Sequence, residues 1–296
     1  MLAMAITTII VVVLVSITSI AMDIWNRSRA ELRAARQAKA MVDTMTRDFE
    51  ALITRRGNTN EWLSATCATD LPGEKLKSTN AAELIFFSAP TDRYEGEIGI
   101  TNTKDKGGDV SCVSYHLYYK DPISKSGNIY TTFVLNRLLV NPDDTFRDLL
   151  GKTDTNKSLT QVFSTSYAPK LDAVENFVCE NIFQFTVTFQ VEATHMVGTA
   201  SRTVPVAVTI GQSSTGPVTK SFKINGSGID TSATPTGVST DELKAGRITA
   251  VEVSLTVLSD FGVDQLRNRP FTDAQKSAFL AKNSFQYTKR VQVPSM

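Results

Sequence analysis

The feature that most constrains the fold of this chain is its opening stretch, Met1 to Ile53, which contains neither Pro nor Gly. From Met1 to Met22 it also lacks any charged side chain. A helix of this length is roughly 30 Å long, which matches the hydrocarbon core of a bilayer. We therefore predict that residues 1–22, called here the apolar half, form a helix that is compatible with a membrane. The apolar side chains assigned to that helix are Ile6, Ile9, Ile10, Val11, Val12, Val13, Leu14, Val15, Ile17 and Ile20.

The next segment, residues 23–57 or the amphipathic half, changes to Arg, Lys, Glu and Ala without interrupting the helix. Its apolar residues recur at steps of three and four, which predicts one stripe that packs on the rest of the protein. Arg55, Arg56 and Gly57 are typical of a helix C-terminus, so the helix is predicted to end near Arg56. The residues predicted to pack the helix on the rest of the chain are Leu32, Val42, Met45, Phe49 and Leu52.

Residues 58–296, called here the head, read mainly as strands. Residues 58–82 are polar and predicted to be a loop, with a short helical turn at 61–65. A compact apolar run at 84–87 predicts a strand. Alternating side chains at 113–119, followed by a second β run at 130–140 after a short polar loop, predict a hairpin.

The later part of the head continues the β pattern. A long strand with Phe183, Phe185, Val187 and Phe189 on one face is predicted to be central in a sheet. Pro205 places the following strand at an edge or a bulge. Residues 211–240 are rich in Gly, Ser, Thr and Pro and are predicted to be a flexible insertion, with a hairpin strand at 221–224 before a tight turn at Asn225-Gly226. Two further strands, at 247–259 and 284–296, and a short helix capped by Thr272 complete the prediction.

Composition excludes few functions. The formal net charge of +1 argues against a protein whose main partner is nucleic acid. Cys67, Cys112 and Cys179 lack the spacing of a zinc site, and either one disulfide with a free thiol or no disulfide fits them. The only two histidines, His116 and His195, fall in no catalytic or metal spacing. No catalytic residues and no cofactor are predicted.

One acidic segment has two interpretations, a helix start or a calcium site. Acidic residues that follow Asn141 suit the first turn of a helix, where they complement its dipole. Calcium, which takes several oxygen ligands, is the alternative, although the spacing matches no recognised calcium loop. The candidate ligands are Asn141, Asp143, Asp144 and Asp148.

The sequence resembles the type IV pilin-like proteins, and within them the J-type minor pseudopilins of type II secretion. The resemblance is carried by the two-part helix, by MTRDFEAL at 45–52 with its Arg-Asp pair, and by strands in which Tyr115 and Leu117 face Leu135 and Arg137. It implies an α+β fold: a long N-terminal helix, apolar in its first half and amphipathic in its second, packed against an antiparallel β-sheet head.

The resemblance also implies a function. It predicts a structural, non-enzymatic subunit of a type IV pilus-like or type II secretion filament that assembles through its N-terminal helix. Partners would be other pilins or pseudopilins and the inner-membrane assembly platform. The chain would be a single-pass inner-membrane protein with its head in the periplasm or on the cell surface. Secretion, adhesion, motility and DNA uptake all use this architecture, and the sequence does not separate them.

Two features depart from that family. Its cleavage motif and the Glu at the fifth mature position are absent, since position 5 is Ala5, which suggests that the given chain begins about five residues inside the mature protein. Basic residues after the apolar half would by themselves retain the head in the cytoplasm, unless a basic leader precedes Met1. The alternative is a membrane-anchored extracytoplasmic β domain that binds a ligand or envelope partner and never polymerises.

Overall fold

The computed structural model describes residues 2–68, 76, 80–89, 109–122, 130–150, 158–197, 200–211, 219–233 and 236–294. It confirms the predicted α+β architecture of a long N-terminal helix packed against antiparallel sheets. Helix α1 spans Leu2–Glu50 without a break.

Helix α1 ends earlier than predicted. The prediction placed the end near Arg56, but the chain leaves the helix after Glu50 and runs beside a strand of the head. The Ile53 amide donates to the Phe87 carbonyl (2.8 Å), and the Ala89 amide donates to the Ala51 carbonyl (2.9 Å). The strand thus satisfies backbone groups that a longer helix would have used.

The larger sheet has seven strands within the described residues, in the order β5-β4-β3-β2-β1-β8-β9. They are β1 (Glu61–Ala68), β2 (Asn80–Ser88), β3 (Ser111–Lys120), β4 (Thr132–Val140), β5 (Phe177–Cys179), β8 (Ser221–Asn225) and β9 (Gly228–Thr231). The predicted hairpin is confirmed as β3 and β4, which pair antiparallel with Tyr115 opposite Arg137. Residues 123–129 of its connection lie outside the described residues.

One prediction for this sheet was wrong. Residues 61–68, predicted as loop and helical turn, form β1, which pairs with both β2 and β8. These two neighbours decide the conformation, because the local residues are compatible with either state. The hairpin strand predicted at 221–224 is confirmed as β8, which pairs antiparallel with β9. Residues 212–218 and 234–235 of the predicted insertion lie outside the described residues.

The smaller sheet has the order β11-β10-β6-β7 within the described residues. Its strands are β6 (Ile182–Val197), β7 (Ala200–Ile210), β10 (Arg247–Leu258) and β11 (Ser284–Gln292). The long Phe-rich strand is confirmed as the internal strand β6, and the Pro205 strand is confirmed as the edge strand β7.

Short helices connect these strands. They are α2 (Pro142–Asp144), which continues into a π-helical turn at Thr145–Leu150, α3 (Leu159–Ser166), α4 (Ala168–Leu171), α5 (Thr240–Ala245), α6 (Asp260–Asn268) and α7 (Asp273–Asn283). The predicted cap is confirmed: the Thr272 side chain accepts from the Gln275 amide at the start of α7.

The main core lies between α1 and the inner faces of the two sheets. Phe49 of α1 stacks on Phe86 of the larger sheet (4.4 Å between ring centroids) and meets Phe189 of the smaller sheet edge-on (6.3 Å). A second core, with Phe87 and Phe163, lies between the outer face of the larger sheet and helices α3 and α4. The C-terminal part of α1 is therefore built into the head.

Candidate assembly surface: the exposed half of helix α1

The apolar half of α1 is not covered by the head. The ten predicted membrane or filament residues, from Ile6 to Ile20, are each 50–64% exposed. Seven of them are consecutive, from Ile9 to Val15, so the apolar surface runs around the whole circumference of the helix. Soluble monomers rarely expose an apolar surface of this extent, which marks a site for a membrane or for other proteins.

Two polar side chains within the apolar half are hydrogen-bonded inside the helix. The Thr8 hydroxyl donates to the Met4 carbonyl and the Thr18 hydroxyl donates to the Leu14 carbonyl, both at 2.8 Å. These two hydroxyls therefore need no water partner, as an apolar medium requires. Among the described residues, α1 is the one helix long and apolar enough to cross a membrane.

The first contacts between α1 and the head occur just after the apolar half. Trp25 is still 62% exposed. Arg27 forms an ion pair with Glu31 (2.9 Å), donates to the Asn283 side chain (3.2 Å) and lies over the Phe261 ring (5.2 Å). The helix thus first contacts the head about one and a half turns after Met22, the last residue of the apolar half.

The amphipathic half buries one stripe. Val42, Met45 and Phe49 are at most 3% exposed, and Leu52, which lies beyond the helix end, is 8% exposed. The expectation for Leu32 is not met, because its side chain is 54% exposed. Position 32 lies on the side of α1 opposite the buried Ala34 and Ala38, so the three- and four-residue pattern gives a false match there.

A buried ion pair fixes the end of α1 on the larger sheet. Asp48 is 3% exposed and accepts two hydrogen bonds from Arg137, from Nε to Oδ2 (2.8 Å) and from Nη2 to Oδ1 (2.9 Å). The Tyr115 hydroxyl also donates to Asp48 Oδ2 (2.5 Å). Burial, followed by the neighbouring Asp48 charge, raises the pKa of Tyr115 well above its usual value, so the phenol remains a donor.

The structure therefore brings together two sequence motifs that are 67 to 89 residues apart. The Arg-Asp pair of α1 supplies Asp48, and the β3–β4 hairpin supplies Tyr115 and Arg137. Sequence analysis did not predict their contact. The available signal was Asp48 itself, a charged residue between Met45 and Phe49 on the apolar stripe.

Two ion pairs near the surface tie α1 to the smaller sheet and its connections. Arg33 Nη2 lies 2.6 Å from Glu180 Oε1, and Lys289 Nζ lies 2.8 Å from Asp43 Oδ1. The hydrogen bond from Lys289 lowers the pKa of Asp43, whereas partial burial raises that of Glu180 against the opposing charge of Arg33. These partly exposed pairs orient the helix but contribute little stability.

Two of the four calcium candidates form ion pairs with Arg147. Arg147 lies 2.5 Å from Asp144 and 2.9 Å from Asp148. Asp148 also accepts from the Tyr167 hydroxyl (2.8 Å). Asn141 precedes α2 with no capping hydrogen bond from its side chain, and Asp143 lies in the first turn. Among the described residues no group of three or more His, Cys, Asp or Glu could hold a metal ion.

The histidines lie in strands. His116 Nδ1 is 3.7 Å from Glu83 Oε1, and its ring lies 4.2 Å from that of Tyr118. His195 lies in β6 with its Nδ1 3.0 Å from Glu242. Backbone hydrogen bonding with Ser239, and next His195, lower the pKa of Glu242 to about 2. The three cysteines form no disulfide.

Comparison with known proteins gives a structural likeness and no sequence match. No protein-family model matches the sequence, and no curated protein matches it significantly. Among solved structures, the chain is similar to a type IV-like pilin from Thermus thermophilus, with 10% identity over 88% of this chain and 97% of the other and a TM-score of 0.34. The superposition is loose, so the functional proposal rests on the geometry of this chain.

Proposed function

We propose that this chain is a minor pilin or pseudopilin, a structural subunit of a type IV pilus-like or type II secretion filament that assembles through its N-terminal helix. The observation that carries the proposal is the division of α1. Its apolar half is exposed around the whole circumference, while its second half is locked to the head by the buried Phe49 and the Asp48–Arg137 pair.

The mechanism follows from the free energy of the apolar half of α1 in lipid and in water. In a bilayer, lipid tails cover the side chains from Ile6 to Ile20, so neighbouring helices gain little by associating. Once the rod leaves the membrane, each large aliphatic side chain exposed to water costs about 1.5–3 kcal/mol. Packing the apolar halves of several subunits side by side avoids that cost and forms the core of a filament.

The proposal specifies location and partners. The chain would be a single-pass protein of the inner membrane before assembly, with its head in the periplasm or on the cell surface. Its partners would be other pilins or pseudopilins and the inner-membrane assembly platform. The role assigned is structural rather than enzymatic.

Substitution of Val12 tests the proposal. Val12→Glu places a charge midway along the exposed rod, and Val12→Leu is the control with an apolar side chain. A photo-cross-linker at Ile17 reports neighbouring helices in cells. We expect cross-links to other pilins with the wild type and Val12→Leu, and their loss with Val12→Glu, because a buried unpaired charge is costly. The head should fold normally, since Val12 does not touch it.

The result also separates the alternative function. If Val12→Glu remains membrane-inserted and its cross-links to pilins are unchanged, helix packing is not the assembly mechanism. If the wild type is inserted but forms no cross-links to any pilin, the chain is instead an anchored β domain that does not polymerise.

A further inference from the structure

A stripe of exposed residues continues from the apolar half along the side of α1 opposite its buried residues. Its members, called here the basic stripe, are Trp25, Arg29, Leu32, Arg33 and Arg36, all exposed. At 100° per residue they lie within an arc of about 100°. The buried residues Ala34, Ala38 and Met41 lie on the opposite side of the helix.

Two cations of the stripe have no partner among the residues that the structure describes. Arg33 is paired with Glu180, and Arg27, beside the stripe, is paired with Glu31. By contrast, Arg29 and Arg36 make no hydrogen bond, ion pair or ring contact with any residue that the structure describes. Both guanidinium groups are therefore available to an external anion.

The position of Arg29 relative to the membrane distinguishes it from Arg36. If Met22 marks the end of the hydrocarbon span, Trp25 lies about 4–5 Å beyond it, within the headgroup layer of about 5–8 Å. Arg29 lies about 10 Å beyond and Arg36 about 21 Å. Long helical side chains lean toward the helix N-terminus, so we expect the Arg29 guanidinium to reach back toward the headgroups. Arg36 lies farther away than a Debye length of about 8 Å beyond the headgroup layer.

We propose that Arg29, next to Trp25, binds the headgroup phosphates of anionic phospholipids in the membrane that α1 spans. The inference rests on the proposed membrane insertion of α1 and adds the class of lipid that its first extramembrane turns recognise. A planar guanidinium donates in parallel to two phosphate oxygens, and its charge favours a lipid with a net negative headgroup over a zwitterionic one. The exposed acid Asp23 lies about 120° around the helix from Arg29. Asp260 lines the same groove as Arg29, and it already accepts hydrogen bonds from Asn181 and Tyr130.

The contact has a consequence for the subunit before assembly. Each cation near an anionic surface contributes a factor of about five in affinity, as estimated for basic residues beside a membrane. Arg29 would therefore select anionic lipid around the point where α1 leaves the bilayer. The interaction is electrostatic, so it should weaken with salt.

Fluorescence quenching of Trp25 by brominated lipids tests the proposal on the full-length chain. The protein is reconstituted in phosphatidylcholine vesicles that contain a small fraction of either brominated phosphatidylglycerol or brominated phosphatidylcholine. Trp62, the other of the two tryptophans, is 3% exposed within the head, so quenching reports on Trp25. The variants are Arg29→Gln and, as the matched control on the same stripe, Arg36→Gln.

We expect brominated phosphatidylglycerol to be enriched about fivefold around Trp25 in the wild type and in Arg36→Gln. The enrichment of brominated phosphatidylglycerol should disappear, to a ratio of about 1, in Arg29→Gln and for the wild type in 0.5 M NaCl. Equal quenching by the two lipids in the wild type would overturn the proposal. So would an equal loss of enrichment in both variants, which would show that the anion is not held at the headgroup layer.

The same measurement separates this proposal from membrane insertion itself. Quenching by brominated phosphatidylcholine shows that α1 is inserted, whatever the lipid preference. Absence of quenching by both lipids would contradict insertion and, with it, the proposed function. Insertion without lipid preference would leave the proposed function standing and reject the lipid contact alone.

Discussion

Asp48 shows how one charged residue can join a helix to a sheet. It lies on the buried stripe of α1 and accepts three short hydrogen bonds from Arg137 and Tyr115. A carboxylate in such a place is tolerated only when its oxygens are satisfied. The pair therefore orients the helix, because no rotated position of α1 would leave Asp48 paired.

Breaking this pair should destabilise the protein strongly. Arg137→Leu leaves Asp48 buried without its counter-ion, which we expect to cost about 3–5 kcal/mol and to lower the Tm by about 10 °C. Differential scanning fluorimetry in detergent measures the change. Lys289→Gln, which breaks the exposed pair with Asp43, is the control and should shift the Tm by at most about 4 °C. The double variant Asp48→Leu, Arg137→Leu should lose less stability than Arg137→Leu; a larger loss would contradict the account.

Glu242 gives a prediction for the dependence of stability on pH. Its pKa is lowered to about 2 by hydrogen bonds with Ser239 and His195. A carboxylate with a lowered pKa stabilises the folded state above its unfolded pKa of about 4.3, and this contribution is lost as the pH falls toward 2. The Tm difference between the wild type and Glu242→Gln should therefore be full above about pH 5 and vanish near pH 2. A difference that does not change with pH would show that the charge of Glu242 is not responsible.

At the scale of single elements, the edge strand β7 contains a residue that opposes pairing with a strand of another molecule. Within the described residues, β7 is paired on one side only along Ala200–Val208. Pro205 lies in the middle of this strand opposite Glu192 and is exposed. Because proline has no N–H, we expect its position to face away from β6, where it removes one donor from the free edge.

Pro205→Val restores this donor between those of Thr203 and Ala207. We expect the variant to associate edge to edge and to scatter more light on incubation below its Tm, because its free edge then offers an uninterrupted row of donors. Thr203→Val is the matched control, since it adds a β-branched apolar side chain to the same strand without adding a donor. Equal scattering from both variants would point to surface hydrophobicity instead of the missing N–H.

At the scale of the whole molecule, α1 divides into a part that the head needs and a part that it does not. The contacts with the head begin at Arg27, while Ile6 to Ile24 are exposed. Folding of the head therefore does not depend on the apolar half.

A chain that begins at Asn26 should test this division. We expect it to be soluble and monomeric without detergent and to melt within about 3 °C of the full-length protein, because no buried contact is removed. It should no longer float with phosphatidylcholine vesicles, whereas the full-length chain should. Size-exclusion chromatography, thermal melting and vesicle flotation measure the three properties. A strongly lowered Tm would show that the apolar half contacts the head.

Much of the fold could be predicted because its signals are local. The apolar half, the β3–β4 hairpin, the β6 strand, the edge position of β7 and the Thr272 cap each follow from a few neighbouring residues. Strand β1 could not be predicted in this way, because its conformation depends on pairing with β2 and with β8, which lies about 160 residues away along the chain. For Leu32 the local spacing predicted burial, but its side chain is exposed in the folded chain.

The sequence by itself determined that the chain has a helix long and apolar enough for a bilayer, followed by a β-rich head, because uncharged length and alternation are properties of neighbouring residues. Only the tertiary structure decided where that helix ends and how it is oriented. Those depend on Ile53 and Ala51 bonding to the strand beside them, and on Asp48 meeting Arg137 across 89 residues of chain. Contacts of that kind arise when distant segments compete for the same backbone groups and charges, which no local pattern records.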